Sequence, residues 1–156
     1  MRDLPGFDGP MYTWPRVEAL PHVKEVLVAL RPDWILALAT NAEASDEANI
    51  RKALARVDLD GLIEKIYCYR SIGHKKPSPY FFAYILNDLG MGPERVVMVG
   101  DDFEMDVLGA NRCGIPAIWF NERAPQERRS GKMYRTIHDF RALPGELEAL
   151  LSGSPV

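Results

Sequence analysis

The sequence predicts an α/β fold of Rossmann-like type: one three-layer αβα domain with helices on both faces of a parallel sheet. Two observations lead there. Short, uninterrupted apolar runs of strand length alternate with stretches of helical period, and polar residues with chemical potential follow those runs directly. Alternation of this kind implies βαβ units with right-handed crossovers. In such sheets ligands gather at the carboxyl ends of the strands, so residues just after each run are the first candidates for function.

Residues 1–21 are rich in proline, glycine and aromatics without a clear period, and read as an N-terminal arm leading into a core domain over 22–156. Val23, Val26, Leu27 and Leu30 recur at helical spacing until Pro32 stops them. Trp34 to Ala39 is a continuous apolar run, the pattern of a strand buried on both faces. Ser45 is placed to cap the next helix, with Asp46 and Glu47 suited to its dipole and Ile50, Leu54 and Val57 on its inner stripe. Ile66 to Tyr69 reads as a second strand. Ser78-Pro79 opens a helix that runs from Tyr80 to Leu89 and ends at Gly90. Val96 to Val99 forms a third strand, followed by a short helix through Val107 and Leu108 to about Gly114. Ala117 to Phe120 is a fourth, Thr136 to His138 a weak fifth, and a terminal helix covers Leu147 to Leu151.

A chain of 156 residues with 47% apolar and 26% charged residues falls in the ordinary globular range and can bury a sizeable core. A formal charge of −3 argues against a nucleic-acid partner. Neither a membrane-length apolar stretch nor the apolar core of a signal peptide occurs, so the expectation is a cytoplasmic protein without a membrane partner. The two cysteines, Cys68 and Cys113, make no metal-spacing motif and read as buried free thiols. Trp14, Trp34 and Trp119 read as core or arm-packing residues. Arg123, Arg128, Arg129, Lys132 and Arg135 fall in a loop that is either solvated or a lid for an anionic substrate.

Three strand ends carry chemistry. Thr40-Asn41 offers a hydroxyl and backbone N–H groups at a strand-to-helix turn, a compact anion cradle that is equally common turn chemistry. After the second strand, Gly73-His74-Lys75-Lys76-Pro77-Ser78-Pro79 holds Lys76 beside prolines that stiffen its direction. A lysine so held can neutralise the charge of a phosphoryl group in transfer, or be one of a solvated basic loop. The third strand runs into Gly100-Asp101-Asp102-Phe103-Glu104-Met105-Asp106. Carboxylates crowded at the end of a buried strand are costly unless a cation compensates, and magnesium is held by one or two of them with waters and substrate oxygens. Helix capping by the same aspartates is the plainer alternative.

In this order and spacing, the three signals resemble the haloacid dehalogenase superfamily of phosphatases and related hydrolases. The resemblance runs from about Pro21 to Trp119 and is most specific in Gly100-Asp101 followed by Asp106 and Gly109-Ala110. It implies that Thr40 and Asn41 bind the phosphoryl group and that Thr40 and Lys76 serve catalysis, Lys76 also binding phosphate. Asp101 would coordinate Mg2+, and Asp106 would support that metal or orient Lys76. Lys75 is the lesser lysine, and Asp102 stands where the family often has serine. A small phosphorylated molecule is the implied ligand.

The superfamily's first motif, a strand ending in Asp-x-Asp-Gly-Thr, supplies the carboxylate that attacks phosphorus and an acid/base. Here it is imitated twice. Asp58-Leu59-Asp60-Gly61-Leu62 follows a helical run and comes after Thr40, so it reads as a loop. Gly6-Phe7-Asp8-Gly9-Pro10 lies on the correct side but has glycine at the nucleophile position. The expectation is therefore a chain that begins after the family's first strand and cap, with the central strand position filled by the arm around Met11 to Trp14 or by a second copy in a homodimer. Two functions follow: a magnesium-dependent phosphohydrolase scaffold, inactive or impaired as given, or a non-catalytic module that binds phosphate, a metabolite or a partner. A receiver domain shares the residue types but places its acidic pair first, which disagrees with the order here.

Overall fold

The computed structural model describes residues 8–124 and 131–152. The chain resolves into two compact units that divide between Lys75 and Lys76.

In the first unit, β1 (Ala37–Thr40) and β2 (Lys65–Cys68) pair in parallel, with Thr40 opposite Cys68. Helix α1 (Val23–Leu30) precedes β1 and α2 (Glu47–Ala55) connects the strands. Ile50, Leu54, Leu59, Ile66 and Cys68 form the core, with Val23, Leu27 and Leu38 packed against it. Apolar positions at helical spacing on α1 and α2 thus meet the alternating inner face of the pair. The sheet is shorter than the apolar run promised. Trp34 to Leu36 precede β1 outside the ladder, Ile35 is 48% exposed, and β1 itself is only partly buried. The cap of α2 also shifts by one residue. Asp46 Oδ1 accepts from the Asn49 backbone N–H at 2.8 Å, while Ser45 is buried beneath the turn. Asp46→Ala is expected to destabilise the chain by about 1 kcal/mol in urea unfolding, the usual cost of a lost N-cap.

The arm around Met11 to Trp14 is not a strand. Met11–Thr13 forms a 3-10 turn held against α2. Arg56 donates to the carbonyls of Tyr12, Trp14 and Pro15, and Lys52 lies 4.9 Å over the Tyr12 ring. A guanidinium that caps three free carbonyls favours this turn over extended pairing, because the carbonyls are already satisfied.

Beyond β2 the chain turns into a short helix, α3 (Tyr69–Ile72), where the sequence had extended the strand through Tyr69. It ends at Gly73, whose φ of 78° is the left-handed value glycine adopts without cost.

The second unit holds α4 (Pro79–Leu89), β3 (Met98–Gly100), a π-helical turn (Phe103–Leu108) running into α5 (Gly109–Arg112), β4 (Ala117–Phe120), β5 (Tyr134–Ile137) and α6 (Leu143–Leu151). Its strands are parallel in the order β3-β4-β5. Along β4 every residue is buried, and the strand is paired on both edges, by β3 and β5. Arg135, placed in a loop by the sequence, lies in β5, and Arg128 and Arg129 fall outside the described residues. Cys68 is fully buried; Cys113 is only partly so, and burial raises its thiol pKa. Among the described residues, no helix is long and apolar enough to cross a membrane.

Candidate functional site

In the second unit, the chemistry sits where β3 ends. Gly100 closes the strand opposite Trp119, and the Trp119 indole Nε1 donates to the Asp101 carbonyl at 3.0 Å. Phe103 packs edge-on against Trp119 and Tyr134, with ring centroids 5.0 and 5.5 Å away. The turn that carries the aspartates is therefore pinned by an aromatic cluster. Asp102 answers the question its position raised, since its Oδ1 accepts from the Met105 N–H at 2.9 Å and caps the helix that follows.

That helix starts with a wide π turn. Asp102 O accepts from Asp106 N at 2.9 Å and from Val107 N at 3.4 Å. Such turns cluster at functional sites because they rotate a side chain away from its α-helical direction. Here the side chain is Asp106, whose Oδ1 accepts from Lys76 Nζ at 2.7 Å and whose Oδ2 accepts from the Asp102 N–H at 3.1 Å. The pair is deeply placed, with side chains 10% and 6% exposed. Asp106 thus touches Lys76, the contact that one of its two expected roles requires. Asp101 is exposed at the strand end, and its carboxylate makes no hydrogen bond or ion pair among the described residues.

Two glycines make the arrangement sterically feasible. A Cβ on Gly100 would stand 2.1 Å from Asp106 Oδ2 and 2.5 Å from Asp106 Cβ. A Cβ on Gly109 would stand 2.9 Å from Pro77 Cβ and 3.1 Å from the Phe82 ring. The first lets the carboxylate lie against the strand end; the second lets α5 approach the segment that carries Lys76. The motif glycines thus have a packing reason independent of any ligand.

In the first unit, Thr40 closes β1 and its Oγ1 accepts from the Ala42 N–H at 3.2 Å, with Asn41 in the turn between them. Both residues are partly buried. The structure thus brings Lys76 and Asp106 into contact within one unit, and sets Thr40 and Asn41 at the strand end of the other.

The Asp58-to-Leu62 imitation of the nucleophile motif is structural. Asp58 has a φ of 55° and pairs with Lys24 at 3.2 Å, and Asp60 binds Arg51 at 3.0 Å as it starts a 3-10 turn. That neighbour and its hydrogen bond raise the Arg51 pKa. Asp8 is exposed and Gly9 has a φ of 88°, while Gly6 and Phe7 lie outside the described residues.

A family model described as haloacid dehalogenase-like hydrolase matches residues 11–120. The chain belongs to the haloacid dehalogenase-like hydrolase family. This match covers the Thr40, Lys76 and Asp101-to-Asp106 segments together. Among curated relatives, a ribulose-1,5-bisphosphate 5-phosphatase of Halopiger xanaduensis is 28% identical, over 85% of this chain and 56% of its own length. A glyceraldehyde 3-phosphate phosphatase of Methanothermobacter thermautotrophicus is 33% identical, over 49% of this chain and 34% of its own. The chain thus spans about half the length, or less, of these haloacid dehalogenase-like relatives. An uncharacterized protein from Listeria monocytogenes serotype 4b superposes with a TM-score of 0.79 at 28% identity, covering 92% of this chain and 86% of that one. A phosphatase of this family from Thermococcus onnurineus gives 0.68 at 27% identity, over 82% and 57%. The Rossmann-like parallel α/β fold is therefore that of haloacid dehalogenase-like proteins, as the motifs implied.

Among the described residues, no three His, Cys, Asp or Glu side chains converge as a ready metal cage. Each Asp106 carboxylate oxygen accepts one hydrogen bond, and Asp101 is the exposed carboxylate at the strand end. One carboxylate fits an ion that keeps its waters and arrives with phosphate oxygens, as magnesium commonly does, rather than a resident ion enclosed by protein.

Proposed function

We propose that this chain is a phosphohydrolase scaffold that binds a small phosphorylated molecule and turns it over slowly or not at all. The buried Lys76–Asp106 pair carries the reading. An ammonium fixed by a carboxylate within a packed turn is oriented before any ligand comes, which is what a phosphate-neutralising group requires. Thr40, whose Oγ1 already accepts from the Ala42 N–H, would donate its hydroxyl hydrogen to a phosphate oxygen, with Asn41 beside it. Asp101 would hold a magnesium ion that neutralises phosphate charge as a Lewis acid.

What these residues do not supply is attack. A covalent route needs a carboxylate nucleophile at a strand end, and the sequence has none in the family's pattern. Asp58 and Asp60 are occupied with Lys24 and Arg51. Residues 1–156 keep the binding groups without the family's nucleophile motif, so they orient and neutralise a phosphate ester more readily than they open it.

Hydrolysis of p-nitrophenyl phosphate, measured with magnesium and with EDTA, is expected not to exceed that of an identically prepared Asp101→Asn protein. Titration calorimetry with inorganic phosphate in magnesium buffer is expected to show binding that weakens about tenfold or more in Lys76→Met, the loss of one charge-assisted contact. Magnesium titrated in the presence of phosphate is expected to bind more weakly to Asp101→Asn. Magnesium-dependent turnover abolished by Asp101→Asn would overturn the impaired reading and send the search for a nucleophile to Asp8.

A further inference from the structure

The two adjacent lysines of the His74-Lys75-Lys76-Pro77 segment have separate surroundings. Lys76 is buried against Asp106, whereas Lys75 belongs to the first unit, where its Nζ pairs with Glu43 and lies 4.7 Å over the Tyr69 ring. The register of the sheet places those partners. Thr40 and Cys68 face each other at the carboxyl ends of β1 and β2; Glu43 follows the first by a short turn and Tyr69 follows the second directly. Glu43, Tyr69 and Lys75 therefore gather at the sheet end that carries the Thr40 hydroxyl.

We infer that Lys75 is a specificity residue that accepts a second anionic group, such as a carboxylate, on the phosphorylated ligand. The inference rests on the phosphate-binding reading above. Glu43 is 69% exposed in its pair and Lys75 38%, so their attraction is screened and contributes little net stability. A ligand carboxylate can then replace Glu43 at low cost, Glu43 swinging into water. The Tyr69 ring holds the ammonium in place through that exchange, by its negative face. A ligand with one phosphate and an apolar tail leaves the Lys75–Glu43 pair intact and gains nothing from it.

The test compares propyl phosphate with 3-(phosphonooxy)propanoate, and butyl phosphate with 4-(phosphonooxy)butanoate, by titration calorimetry in magnesium buffer. At one of the two lengths the carboxylate is expected to tighten binding about tenfold, the worth of one hydrogen bond to a charged group. That ratio is expected to fall to near one in Lys75→Met and to rise in Glu43→Gln, where the competing charge is gone. Lys24→Met, which removes an equal charge from the same unit, is expected to keep the ratio. Equal affinity with and without the carboxylate, alongside clear phosphate binding, would overturn the role of Lys75 and leave the phosphate reading standing. A ratio lowered as far by Lys24→Met as by Lys75→Met would also overturn that role, since the effect would then belong to the unit's charge rather than to Lys75. No binding of any of the four compounds would overturn both.

Discussion

Asp106→Ala is expected to lower the unfolding free energy by about 3–5 kcal/mol, the typical cost of removing one partner from a buried ion pair. The magnitude follows from what remains. Lys76 stays 10% exposed with the carboxylate at 2.7 Å removed, and the Asp102 N–H loses its acceptor at 3.1 Å. Urea unfolding of Asp106→Ala, Lys76→Met and the double variant measures this. The double variant is expected to be more stable than Asp106→Ala alone, since it no longer buries a cation that has lost its carboxylate. If the two single losses simply add, the pair is not coupled and Lys76 is not held as described. Phosphate binding distinguishes function from folding: Asp106→Ala is expected to weaken it even under conditions where the protein remains folded, because the ammonium is no longer directed.

Gly100→Ala is expected to be nearly as damaging, despite adding a single methyl group. The new Cβ would stand 2.1 Å from Asp106 Oδ2 and 2.4 Å from its Cγ, and Asp106 cannot yield without leaving Lys76 or the Asp102 N–H. Overpacking of this kind costs about 1–3 kcal/mol, occasionally more. Thermal unfolding of Gly100→Ala is expected to show that loss, with Gly61→Ala as the comparison, where a Cβ meets nothing within 4 Å. Similar stability of the two variants would mean that the carboxylate has room to move. Substitution at Gly100 is thus expected to act on the Lys76–Asp106 pair without touching either residue's charge.

Much of the architecture was legible because each element declares itself locally. The periodic apolar residues of α1, the proline and glycine that bound α4, and the apolar run of β4 are each sufficient to specify their element. Tyr69 starts a helix rather than continuing β2, because an aromatic after a strand suits either course. The cap of α2 passed from Ser45 to Asp46 because both types cap equally well, and only burial of Ser45 separates them.

The sequence by itself determined the family, the alternation of strands and helices, and which strand ends bear the hydroxyl, the lysine and the aspartates. Residue type and spacing along the chain are enough for that. Only the tertiary structure decided how those residues are used. It turned Asp106 onto Lys76 through a π turn, left Asp101 exposed, gave Asp102 to a helix cap, and parted Lys75 from Lys76 by different partners. These outcomes depend on the direction of side chains and on contacts between residues far apart in sequence. Lys76 and Asp106, 30 positions apart, are brought together by packing, and no local pattern records which carboxylate oxygen meets which cation.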